Sequence, residues 1–113
     1  MVRIALIAAV AMLASACVGQ QAEPTRRALA EDGRAIAEAQ CSSCHAVGEY
    51  GPSPNLAAPP LRTVLSRYRA DVLEEELING IRVSHPMPDF QFNPQGADAL
   101  IAYLETIQEQ PAQ

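Results

Sequence analysis

The stretch Cys41-Ser42-Ser43-Cys44-His45 decides the reading of this chain. A C-x-x-C-H spacing sets two thiols on adjacent turns, where each can add to a vinyl group of one porphyrin while the next residue's imidazole reaches the iron at its centre. Five residues would thus supply three bonds to one haem. With three Cys and two His among 113 residues, chance placement of the pattern is on the order of one in a thousand. Two other chemistries use part of it. A thioredoxin-type dithiol needs a βαβ neighbourhood. A zinc site needs four ligands, and Cys41, Cys44, His45 and His85 could be counted as a set only with a spacing unlike that of a finger.

Working outward, both neighbourhoods are helical or irregular. From Arg26 to Gln40, Ala and Ile recur at helical spacing between charged residues, which predicts an amphipathic helix running into Cys41. Gly33 inside it costs about 1 kcal/mol relative to Ala, so its presence predicts close approach by another backbone at a helix crossing. Downstream, Pro52, Pro54, Pro59 and Pro60 with Gly48 and Gly51 forbid regular helix or a central strand between Ala46 and Pro60. Leu61 to Tyr68 can form one or two helical turns. Asp71 to Asn79 reads as a helix with Val72, Leu73, Leu77 and Ile78 on one face and Gly80 as its stop. Pro86 and Pro88 break the next segment. Asn93-Pro94 then opens a last helix with Leu100, Ile101, Leu104 and Ile107 on one stripe, ended by Pro111. No strand signal survives, and the fold class is all-α.

Composition limits what such a chain can be. Its 113 residues make one small domain, and all eight cations are Arg, against 13 acids, for a net charge of −5. The lysine-studded face of a polyanion binder is missing, so nucleic acid is excluded as a partner. With no Trp, 3 Tyr and 2 Phe, the interior lacks bulk, and a bound group is expected to help fill it. Residues 1–16 read as a signal peptide: one cation, an apolar run from Ile4 to Leu13, then Ala14-Ser15-Ala16. Leu13 to Cys17 also resembles a lipobox with Ala14 where Leu is more usual, so Cys17 is expected to be acylated, because an exported unpaired thiol is a liability. Residues 17–27 are a flexible tether and 28–110 the folded domain.

From about Leu29 to Gln108 the chain resembles the bacterial class I, or monohaem, cytochromes c. The resemblance rests on Gly33 eight places before Cys41, the C-S-S-C-H stretch, Pro54-Asn55-Leu56, Met87 in a late loop, and A-L-I-A-Y-L from Ala99 to Leu104. It implies about three to five helices wrapped around one haem c attached through Cys41 and Cys44. It also implies His45 as the proximal iron ligand, its ring held by a backbone carbonyl of the proline loop. Pro54 is the favoured carbonyl, with Pro52 and Pro59 as alternatives.

The sixth ligand can be argued from residues. Beyond the signal, Met87 is the single methionine left, and Pro86 and Pro88 stiffen the chain around it. A thioether favours Fe(II) and raises the potential. His85 is the rival, and two residues so close in an extended loop cannot both reach one iron. Arg62 could pair with a haem propionate, and Tyr68 could add a phenol donor. Leu61, Leu77 and Ile101 would pack around the porphyrin or between helices, and Glu74-Glu75-Glu76 forms a solvated face.

A six-coordinate iron has no open position for substrate, and no acid, base or nucleophile constellation accompanies it. The expectation is therefore a one-electron carrier in the bacterial cell envelope, not an enzyme. It would be a periplasmic or membrane-anchored monomer, exchanging electrons with a quinol-oxidising complex, a periplasmic dehydrogenase or a terminal oxidase. The alternative is a haem protein with an open or labile distal site that binds small ligands or acts as a peroxidase.

Overall fold

A computed structural model describes residues 24–83 and 85–109. The expected signal peptide, Cys17 and the tether as far as residue 23 lie outside the described residues, and the tether expected to reach residue 27 ends sooner, because Thr25 caps a helix that starts at Arg26. Among those described there are three α-helices, α1 (Arg26–Gln40), α2 (Ala70–Asn79) and α3 (Pro94–Ile107), with a 3₁₀ helix at Leu61–Ser66 and no strand. The all-α class expected from the sequence holds.

Three helix ends fall where local chemistry dictates. The Thr25 hydroxyl accepts from the Ala28 N–H at 3.2 Å to open α1. Asn93 does the same for α3, its Oδ1 accepting from Gly96 at 2.7 Å, with Pro94 in the first turn where no amide donor is required. At the end of α2, Gly80 takes φ +100°, a conformation that residues with a Cβ avoid.

The fold is organised by the crossing of α1 and α3. A Cβ placed on Gly33 would lie 1.8 Å from the Ala99 carbonyl oxygen and 2.9 Å from the Tyr103 Cβ. The predicted backbone approach is therefore present, and only glycine permits it. Arg26 ties the same pair together from the rim, with Asp98 at 2.9 Å and Glu105 at 2.6 Å. These pairs are exposed, so each is worth at most about 1 kcal/mol.

α3 departs from the single stripe expected of it. Ala97, Ala99, Leu100, Ile101, Ala102, Tyr103, Leu104 and Ile107 are all buried, so the helix is covered nearly all round. One side meets α1 at Ala99 and Tyr103, while Leu100 and Leu104 face a cavity beside the cysteine motif. Its end is clasped to the 3₁₀ helix. Gln108 donates to the carbonyls of Leu61 (3.0 Å) and Leu104 (2.8 Å) and accepts from the Leu65 N–H at 3.0 Å.

Candidate haem site

The motif continues α1 by one more turn. The Cys41 N–H bonds the Ala37 carbonyl at 2.9 Å, and the amides of Cys44 and His45 both return to the Cys41 carbonyl, at 3.1 and 2.9 Å. This turn carries both thiols and the imidazole as one rigid piece. Cys41 and Cys44 are free thiols, not joined to each other. Burial pushes the Cys41 thiol pKa up, so the unreacted side chain is held in the neutral form.

His45 is buried, with 8% of its surface exposed, and its Nδ1 lies 2.7 Å from the Pro59 carbonyl oxygen. A carbonyl can only accept, so the ring proton sits on Nδ1 and the lone pair is left on Nε2. The backbone thus prepares Nε2 as a ligand. The acceptor is Pro59, one of the alternatives, and not the favoured Pro54. The reason is a turn between them. The Asn55 N–H bonds the Cys44 carbonyl at 3.1 Å, the Ala58 N–H bonds the Asn55 carbonyl at 3.0 Å, and the Asn55 Oδ1 accepts from Ala57 at 2.9 Å. That turn leaves Pro54 exposed and delivers Pro59 beside the ring. The Leu61 N–H, bonded to the Ala46 carbonyl at 2.9 Å, fixes the far end of the loop.

Beside His45 lies a cavity of about 350 Å³. Cys41 and His45 form one part of its wall, Leu61, Leu77, Leu100 and Leu104 its apolar lining, and His85, Met87 and Phe90 another part. A smaller cavity of about 30 Å³ shares Cys41, His45, Met87 and Phe90 and adds Cys44. Cys41, the prepared imidazole and the thioether therefore line both cavities, and Cys44 borders the smaller one. Leu61 and Leu77 line it as expected, whereas Ile101, also buried, belongs to the helix core without reaching it.

Arg62 does not reach the cavity. Its Nη1 donates to the Gly51 carbonyl at 2.9 Å and its Nε pairs with Glu109. Arg67 and Tyr68 line the cavity instead. The cause is the helix type. In a 3₁₀ helix residues three apart eclipse one another, so Leu61, Val64 and Arg67 share a face and Arg62 points elsewhere. The signal was present in the apolar spacing of Leu61 and Val64, which a period of three extends to Arg67, the residue that caps the 3₁₀ helix.

The residues present fit a covalently held porphyrin: two unpaired thiols, an imidazole with its lone pair free, an apolar lining and cationic and phenolic groups at the margin. His85 adds a buried Nε2 without a hydrogen-bond partner. Among the described residues, no three His, Cys, Asp or Glu side chains are grouped to hold a metal by themselves, so the zinc arrangement is not formed.

A family profile described as cytochrome C oxidase, cbb3-type, subunit III matches residues 28–104, the span from α1 to α3. The chain belongs to the cytochrome c family. This cytochrome is also 33% identical over 78 residues to the cytochrome c-553-like protein of Synechocystis, an alignment covering 69% of each chain. No solved structure matches it. It is a small bacterial monohaem cytochrome c, a haem-based electron carrier in which Cys41 and Cys44 have the spacing for covalent haem c. Its partners are redox proteins.

Proposed function

We propose that this cytochrome passes single electrons between redox proteins of the cell envelope, with His45 and Met87 as axial ligands and Cys41 and Cys44 as the attachment points. The observation that carries this reading is the His45–Pro59 bond, which directs Nε2 as a lone-pair donor, together with the placing of Met87 on the same cavity. Haem c supplies a one-electron iron couple. The chain's own residues set its properties: Pro59 orients His45, Pro86 and Pro88 hold Met87, and the leucine lining excludes water. With His45 and Met87 both holding the iron, no position would remain for substrate, and the role would be transfer, not catalysis.

Arg67 and Tyr68 replace Arg62 as the groups that meet the propionates in this reading, because they line the cavity. Leu56, 92% exposed, stands at the rim of the same cavity and offers an apolar docking patch. Such a patch suits a brief redox encounter that buries little area. A quinol-oxidising complex, a periplasmic dehydrogenase or a terminal oxidase would each meet it there. Residues 1–16 serve as the export signal, Cys17 as an acylated anchor and the residues from there to Pro24 as its tether, since Arg26 and Arg27 belong to α1. Among the described residues no helix is long and apolar enough to cross a membrane. Palmitate labelling of the wild type, lost in Cys17→Ser, is the expected result for the anchor.

The test of the central reading is the spectrum and redox titration of the oxidised, exported protein. A red-region charge-transfer band from thioether to ferric iron is expected, and Met87→Ala should abolish it and lower the reduction potential. An unchanged potential in that variant means that sulfur is not the sixth ligand.

A further inference from the structure

His85 and Met87 both line the cavity, two residues apart in the stretch His85-Pro86-Met87-Pro88. The His85 ring faces His45 with ring centres 5.6 Å apart and planes inclined at 70°. Its Nε2 is buried and has no hydrogen-bond partner. A buried polar atom left unmatched is costly, and such atoms in folded proteins ordinarily have a partner. His85 lines the cavity, so a group bound there is the one at hand to satisfy this nitrogen. Two imidazoles bound to one metal from opposite sides, at about 2 Å per bond, have ring centres on the order of 6 Å apart. The observed separation is close to that span.

From this juxtaposition we propose that His85 is a reserve ligand, whose Nε2 takes the sixth position on the haem iron whenever the Met87 sulfur leaves it. The proposal rests on the His45/Met87 reading above. In the exchange the iron–sulfur bond breaks and an iron–nitrogen bond forms through the Nε2 lone pair, with the ring proton staying on Nδ1. No electron or proton is gained or lost. Residues two apart in extended chain are separated by about 6–7 Å, so the two donors take turns. Imidazole and thioether both suit iron, so departure of the sulfur leaves the site closed to small molecules. His85 thereby protects a carrier from becoming a ligand-binding or peroxidase-like protein.

The test compares two variants of the full-length, haem-loaded protein in the oxidised state. Met87→Ala should remain six-coordinate and low-spin, with the electron paramagnetic resonance of a bis-imidazole site. Met87→Ala/His85→Asn should turn high-spin and bind cyanide with an apparent affinity higher by about tenfold or more, since the internal competitor is gone. Equal spin state and equal cyanide binding in the two variants overturn the proposal. Met87→Leu, alone and combined with His85→Asn, repeats the comparison with the loop's bulk preserved. Absence of the red thioether band from the wild type overturns the Met87 assignment itself, separately from what the variants show.

Discussion

At the scale of single residues, the site depends on a few atoms whose environments set their protonation and reach. Arg67 and Arg62 are five positions apart in one short segment, yet the first lines the cavity and the second is bound to Gly51 and Glu109. Removing a positive charge near the iron favours Fe(III), so Arg67→Gln should lower the reduction potential measurably more than Arg62→Gln. Equal shifts would place the two guanidinium groups equally near the couple. Tyr103 provides a second residue-level prediction. Desolvation by burial is the main cause raising its phenol pKa; the Glu38 and Glu49 charges add to the rise and Arg34 opposes it. Its hydroxyl donates to the Val47 carbonyl at 2.7 Å. A folded-state pKa above the unfolded value, about 10, means the native state keeps this proton longer. The stabilisation is full below the unfolded pKa and is lost as pH rises through the folded one. Denaturation of the wild type should therefore show an alkaline fall in stability that Tyr103→Phe makes shallower, read from urea midpoints across the alkaline range.

At the scale of elements, the crossing of α1 and α3 is the joint on which the site depends, because α1 delivers the motif and α3 closes the cavity. Gly33→Ala would gain about 1 kcal/mol of helix propensity in an isolated helix, but the added methyl would overlap the Ala99 carbonyl. The clash is with backbone and cannot be relieved by a rotamer change, so the net effect should be destabilisation by about 2 kcal/mol or more, measured as a lower denaturant midpoint. A neutral or stabilising result would mean that the helices can separate without cost. This crossing was legible in the sequence because a glycine in a helical pattern carries a local penalty that needs a local reason. The helix limits at Asn93 and Gly80 were legible likewise, each being set by the capping residue itself. Two features were not. Choosing Pro59 over Pro54 depends on the turn at Asn55, which forms through a bond to Cys44 across the loop. Choosing Arg67 over Arg62 depends on a 3₁₀ period that propensity does not distinguish from an α-helical one.

At the scale of the whole molecule, the core and the cofactor site are largely the same surface. Leu61, Val64, Leu73, Leu77, Leu100 and Leu104 belong to the hydrophobic cluster and also line the cavity. A small domain with few aromatics has little other apolar material to bury. The polypeptide should therefore fold poorly without its porphyrin: a Cys41→Ala/Cys44→Ala variant is expected to show less helix by far-ultraviolet circular dichroism and a broad thermal transition. A sharp transition at the wild-type temperature would mean that the helices close on themselves unaided. The amino-acid composition is enough to imply this dependence, because a chain without Trp and with only 2 Phe is short of interior bulk. The place of the shortage, between α2, α3 and the 3₁₀ helix, is a product of how the helices cross and is not written in composition.

The partner that sets the His45 tautomer is a main-chain oxygen. Every amino acid carries the same carbonyl, so codon 59 can drift through most of its neighbours without deleting the bond. What the bond cannot survive is a change in chain length between Asn55 and Pro60, which would carry a different carbonyl past the ring. This loop is thus tolerant of spelling and intolerant of insertion, and library designs that vary its letters at constant length will keep the proximal side intact.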